Sequence, residues 1–191
     1  MAKLRAVLDA CVLYPAPLRD LFMWLAVGDL FSARWTEEIH REWMRNVLAN
    51  RPDLLPDQLA RTRDLMNSRI RGCLVTGYES LIETITLPDP NDRHVLAAAI
   101  HAGADLIVTF NLKDFPAAVL QPLSIAAQHP DHFLLALLEQ EAELFCQVIE
   151  LQRQALKNPV KRPAEHLETL RRQGLVKTAA ALVVHGYGSE D

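Results

Sequence analysis

The sequence has little cysteine, and what it has forms no frame. Cys11, Cys73 and Cys146 stand far apart and make no C-x-x-C pair. That spacing excludes a disulfide scaffold and a cysteine-built zinc site, and it reads as reduced thiols in a cytosolic protein. No apolar run approaches the roughly 18 residues that a membrane span needs. The opening stretch, MAKLRAVLDA, does not read as a signal peptide, because its apolar run is short and Asp9 interrupts it. An excess of basic charge is missing too. A formal net charge of −4 excludes a surface coated for loose nucleic-acid binding, while leaving room for a local basic groove. No tract is of low complexity and no segment repeats, so disorder is expected only at the ends.

What is present is a chain of 191 residues, half of them hydrophobic. That suits one domain of ordinary size with a small extension. LRAVLD reads as a short buried strand with nearly unbroken apolar character. PLRDLFMWLAVGDL has helical spacing, with Leu18, Leu21, Phe22, Leu25 and Ala26 on one face and Gly28 as the stop. LFSARW reads as a second strand. TEEIHREWMRNVLAN reads as a helix capped by Thr36, with acids in its first turn. A further helix covers Pro56 to Ile70, CLVTG is expected as a third strand, and ESLIETI as a short helix.

The segment LPDPNDRHVLAAAIHAGADLIVTFNLKDFP carries the most pattern. Asp89 is placed as an N-cap, Pro90 at the first helical position, and Val95, Leu96, Ala99 and Ile100 on the apolar stripe. Gly103 ends that helix, ADLIVTF is a strong buried strand, and NLKDFP is the loop after it. Strands alternating with helices imply an α/β domain with a largely parallel sheet, closing near residue 127. Beyond it, HPDHFLLALLEQEAELFCQVIELQRQALKN reads as one long helix. PAEHLETLRRQGLVKTAAALVV reads as another, after breaks at Pro159 and Pro163. A strand signal returns, if at all, only in the last few residues. The expected organisation is therefore a domain over 1–127 and a helical extension over 128–191.

In open α/β sheets, ligands bind at the carboxyl ends of the strands. Asp9 ends the first strand. Asn111 and Asp114 follow the last strong one, and Asp92 lies in the first turn of the helix before it. Glu38 and Glu42 are one turn apart and share a helix face. Carboxylates gathered on one edge repel and raise one another's pKa, so they stay ionised together only around a cation. Oxygen ligands without Cys/His spacing favour Mg²⁺ or Mn²⁺, whose chemistry suits phosphodiester hydrolysis. Each residue also has a plainer reading. Asp92 would favour the helix dipole, Asp114 would be an ordinary loop acid, and Glu38 and Glu42 would be solvated. Asp9 is hardest to dismiss, because an apolar strand rarely ends in an unpaired charge.

With these residues in place, the chain resembles the PIN domain, the fold of many metal-dependent ribonucleases, including VapC-type toxins of bacterial toxin–antitoxin pairs. The resemblance covers about residues 4–127. It is carried by LDACVLYPAPLRD, by WTEEIHREWMRNVL and above all by LPDPNDRHVLAAAIHAGADLIVTFNLKDFP. It implies a PIN-like three-layer α/β fold, with a mostly parallel sheet flanked by helices. It also implies a catalytic, metal-holding set of Asp9, Glu42, Asp92 and Asp114, with Glu38 as the fallback for Glu42. The family's fourth acid usually lies two residues after the motif threonine, here Thr109; that position is Asn111, which is expected to assist Asp114. Two residues after the first aspartate the family commonly has Asn, Ser or Thr, and here stands Cys11. The same resemblance implies Mg²⁺ or Mn²⁺ as cofactor, RNA as substrate, a cognate antitoxin, a homodimer as the usual state, and a cytoplasmic setting.

Phosphate would need basic groups. Arg61, Arg63, Arg69 and Arg71 are candidates, as are Lys157, Lys161, Arg162, Arg171, Arg172 and Lys177, with a solvated charged face as the alternative. His94, next to Arg93, would be a second-layer group, a phosphate ligand or a structural histidine. Trp24, Trp35 and Trp43 read as core or interface. Two other function classes compete. A phospho-acceptor domain would need an aspartate ending the third strand, and CLVTG offers none. A PIN-like module that binds nucleic acid or a partner without cleaving is kept open by Cys11 and Asn111.

Overall fold

A computed structural model describes residues 3–188 of the chain. The elements run β1 (Arg5–Leu8), α1 (Ala10–Leu13), α2 (Ala16–Val27), β2 (Ser32–Arg34), α3 (Glu37–Asn50), α4 (Pro56–Arg69), α5 (Glu79–Ile82), α6 (Arg93–His101), β3 (Leu106–Val108), α7 (Ala117–Leu120), β4 (Ala126–Gln128), α8 (Pro130–Gln140), α9 (Ala142–Ala155), α10 (Pro163–Arg172) and α11 (Val176–Val184). Among the described residues no helix is long and apolar enough to cross a membrane.

Contacts divide the chain into two compact units. Residues 1–14 and 31–129 form the first, and residues 15–30 and 130–191 the second. The first is built on four parallel strands in the order β2-β1-β3-β4. The sheet is held from within: Ala6, Val7, Ala33, Ile107 and Val108 have no exposure. Burial on both faces is why these strands read as unbroken apolar runs rather than alternating ones. α6 packs on β1 and β3 through Val95, Leu96 and Ala99, which are fully buried. This is the α/β fold that the strand–helix alternation implied.

Three expectations about this unit are corrected. CLVTG is not a strand. Only Leu74 forms a bridge, to Trp35, and left-handed Gly72 (φ 69°) and Gly77 (φ 82°) bound the run, leaving no length for a ladder. The fourth strand is instead β4, whose Ala126–Gln128 has little strand character of its own; it forms because β3 offers an edge to pair with. The helix expected from Pro90 starts later. Pro90–Asp92 is a turn of 3₁₀-helix, and Asp89 caps that turn by accepting from Asn91 N at 2.9 Å.

The second unit contains α2, which the sequence placed with the first domain. α2 packs against α9 and α10, burying Leu18, Leu21, Phe22, Leu25 and Ala26. Gly28 allows that approach: a Cβ there would stand 2.6 Å from Val148 Cγ2. Each of the two long helical patterns is in fact two helices. The first breaks at Glu141, outside helical geometry at φ −136°, and the second at Gly174, which is left-handed at φ 81°. Asp131 on α8 then reaches the start of α11, accepting from Lys177 N at 2.9 Å and Thr178 N at 2.8 Å. Of the last few residues, 185–188 form no strand and 189–191 lie outside the described residues.

Candidate functional site

β1 and β3 are neighbours in register, with Leu8 opposite Val108, so the residues that follow them meet at the carboxyl edge of the sheet. Asp9 is 4% exposed there, and its backbone N–H still bonds Val108 O at 3.1 Å. Burying a carboxylate without hydrogen bonds costs several kcal/mol. Two donors answer that cost, and both reach the same oxygen. The Thr109 hydroxyl donates to Asp9 Oδ2 at 2.6 Å, and the Cys11 thiol donates to it at 3.1 Å. Oδ1 accepts no hydrogen bond among the described residues, and the carboxylate does not cap α1.

The thiol is itself held, with Thr109 Oγ1 at 3.4 Å and the Phe110 N–H donating to Sγ at 3.4 Å. Burial, and then the charge of Asp9, pushes the Cys11 thiol up to about 12. It therefore stays an S–H at neutral pH and serves as a donor, not as a thiolate ligand. Asn111 contributes its backbone N–H to Thr109 Oγ1 at 3.0 Å, while the residue itself is exposed.

Thr36 starts α3 directly after β2 by accepting from Ile39 N at 3.1 Å. Glu42 follows on this helix, half-buried, with Oε1 3.2 Å from His94 Nε2 at the start of α6. A carboxylate only accepts, so Nε2 carries the hydrogen. The other ring nitrogen of His94, Nδ1, is buried without a partner among the described residues. Leaving a buried polar atom unpaired costs about 1–3 kcal/mol. His40, one turn before Trp43, is a different kind of histidine. Trp43 Nε1 donates to its Nδ1 at 2.9 Å, and its Nε2 bonds Asn67 Oδ1 at 3.0 Å, which Trp35 Nε1 also reaches at 2.7 Å. His40 is fully paired in the core; His94 has one bond, to an acid.

Asp92 closes the 3₁₀ turn before α6. Burial, and then the negative charges of Asp9, Asp89, Asp114 and Glu42, push its carboxyl up to about 6. Four of these five acids are the ones the sequence set apart. The fifth, Asp89, was read only as a cap; it does cap, and its charge also bears on Asp92. The acids sense one another without closing in: among the described residues, no three His, Cys, Asp or Glu side chains are grouped as metal ligands would be.

Other candidates stand apart. Glu38 pairs with Arg41 at 2.7 Å and is not among the charges acting on Asp92. Arg63 pairs with Asp64 and Glu37, Arg162 with Glu165, and Arg171 and Arg172 with Glu168. Lys161 donates to Thr169 Oγ1, and Lys177 lies 2.9 Å from His132 Nε2. Trp35 and Trp43 are fully buried core residues.

Parallel strands whose carboxyl ends gather acids place the chain among α/β proteins with an acidic strand edge, and comparison with known proteins supplies the family. Residues 5–113 match the family model described as PIN domain, and the chain belongs to that family. Residues 130–183 match the model described as VapC50 C-terminal domain. A curated protein of Mycobacterium tuberculosis, "Putative ribonuclease VapC50", is 52% identical over 59 residues, which are 31% of this chain and 34% of that protein. The match thus spans about a third of the curated relative's length. No solved structure matches the chain.

Proposed function

We propose that the chain is a metal-dependent endoribonuclease and the toxin of a type II toxin–antitoxin pair. The observation that carries the first part is the gathering of acids around Asp92, whose carboxyl is raised first by burial and then by the charges of Asp9, Asp89, Asp114 and Glu42. Acids that destabilise one another in this way, on the strand edge where α/β ligands bind, fit a hard divalent cation, Mg²⁺ or Mn²⁺. The donor set fits as well. It is all oxygen, and the thiol beside it stays protonated. Asp9, Glu42, Asp92 and Asp114 would hold the ion, which would supply a more acidic water and neutralise phosphate charge.

The chain's own residues prepare for this. Thr109 and Cys11 fix Asp9 through Oδ2 and leave Oδ1 without a bond. His94 holds Glu42 through Oε1. Asn111 steadies the Thr109 hydroxyl through its backbone. RNA as substrate is supported by membership in the PIN family and by the name of the VapC50 relative. A cognate antitoxin, homodimerisation and a cytoplasmic setting are proposed along with it. In this reading residues 1–127 carry the nuclease and 128–191 a helical extension.

The test is cleavage of RNA by purified protein in Mg²⁺ or Mn²⁺ against EDTA. The unsubstituted chain should cleave only with the metal, and Asp9→Asn should lower the rate at least about 100-fold with the fold intact. Well-folded protein that binds RNA but cleaves none, with either ion, would favour a PIN-like binding module instead.

A further inference from the structure

His94 is where the site spends something it does not need for folding. The residue is 7% exposed at the start of α6, two positions after Asp92. Its neighbours down the helix, Val95, Leu96 and Ala97, are apolar and fully buried. An apolar side chain at position 94 would fill the same space and leave no orphan. The histidine instead leaves Nδ1 buried and unpaired. What it gains is one bond, Nε2 to Glu42 Oε1 at 3.2 Å, across a gap of 52 positions in sequence.

That bond ties Glu42 to the turn that carries Asp92. Asp92 and His94 lie on the same turn, where the 3₁₀ segment passes into α6, and Glu42 lies on α3. Holding Oε1 restricts the Glu42 side chain and leaves its other oxygen unengaged by His94. It repeats on Glu42 what Thr109 and Cys11 do to Asp9, engaging one oxygen of the pair from behind. A local polar choice that runs against packing, beside a functional group, is a mark of function rather than of folding. Groups that orient ligands from outside matter for affinity even though they never touch the ion.

We infer that His94 is a positioning residue, which orients Glu42 for a divalent cation through its Nε2–H and contributes nothing to the stability of the fold. The inference rests on the metal-site reading above, and it is tested by Mn²⁺ binding, followed by titration calorimetry without RNA. His94→Leu removes both the bond and the orphan. It should weaken Mn²⁺ binding about tenfold or more, the usual range for loss of such a partner, with no fall in melting temperature in EDTA. His94→Gln places an amide N–H near the position of Nε2 and should restore binding to within about threefold of the unsubstituted chain. A structural histidine gives the reverse result, a lower melting temperature with unchanged Mn²⁺ affinity, and that result overturns the inference. So does a His94→Gln chain that binds as poorly as His94→Leu. Asp92→Asn separates the two levels. If it abolishes Mn²⁺ binding while His94→Leu leaves binding unchanged, the site stands and the role of His94 falls. If the unsubstituted chain binds no Mn²⁺, the site reading falls and takes this inference with it.

Discussion

Asp9 and Asp131 are equally buried, each 4% exposed, and they are used in opposite ways. Asp131, in the helical unit, is matched on both oxygens. Oδ1 accepts from Thr178 N and lies 2.8 Å from the Thr178 hydroxyl, and Oδ2 accepts from Lys177 N. Its negative charge sits at the N-terminus of α11, where the helix dipole favours it. Asp9, at the sheet edge, is bonded on one oxygen only and adds its charge to those of other acids. Burial alone therefore says little about an acidic residue. What separates the two aspartates is whether their bonds complete them, and the incomplete one is the candidate for function.

The first way to break that comparison is to remove Asp131. Asp131→Ala leaves the Lys177 and Thr178 N–H groups without their acceptor, while the Thr178 hydroxyl keeps the residue-131 carbonyl at 3.1 Å, and it should cost roughly 3 kcal/mol in urea unfolding. Mn²⁺ binding should not change. A loss below about 1 kcal/mol would show that the helical unit is not completed in the way its geometry implies.

The second uses acid. His166 is buried in the helical unit with Nδ1 2.7 Å from the Tyr187 hydroxyl. Burial, and then the charges of Lys161 and Arg153, push it down to about 4 from an ordinary 6.5. The folded value lies below the unfolded one, so its contribution is complete above pH 6.5 and is lost as pH falls through 4. The loss should approach about 3 kcal/mol. Hydrogen exchange of α10 amides across that range measures it, and His166→Gln should flatten the profile.

The third looks at the site, where the sign reverses. The Asp92 carboxyl, at about 6, lies above the 3.8 of an ordinary aspartate. Its contribution is complete below pH 3.8 and is lost as pH rises through 6. Asp92→Asn should therefore raise stability at pH 7.5 in EDTA, by about 1 kcal/mol once partial exposure is allowed for, and should gain nothing at pH 4. Added Mn²⁺ should reverse the ranking, stabilising the unsubstituted chain above the variant. Should Asp92→Asn prove destabilising at pH 7.5, the acids are not in conflict and the contrast with Asp131 fails.

Much of the site was legible because its signals are local. An acid ending an apolar strand, a capping threonine before a helix and acids flanking a strong strand all stand within a few residues of the elements that place them. What was not legible depends on partners distant in sequence. Helical spacing put Glu38 and Glu42 on one face and could not rank them; the structure turns Glu38 to Arg41 and Glu42 to His94. The three readings of His94 begin to divide only when its orphaned nitrogen is seen beside the paired His40. Cys11, a departure from the usual side chain, proves to keep the donor role, since a protonated thiol still bonds Asp9. In the fold, β4 was hidden because two alanines and a glutamine carry no strand signal, and the edge of β3 makes the strand. The stripe on α2 announced a buried face and could not say against what.

That last point bears on how the protein is made. α2 is translated early, between β1 and β2, yet the helices that cover Leu18, Leu21, Phe22 and Leu25 are translated after the sheet is complete. At ordinary elongation rates of about 5–20 residues per second, its oily side waits roughly 7–30 s for α9 and α10 to emerge. The nascent chain thus carries a sticky helix through most of its synthesis, and the helical unit is stitched shut only near the end.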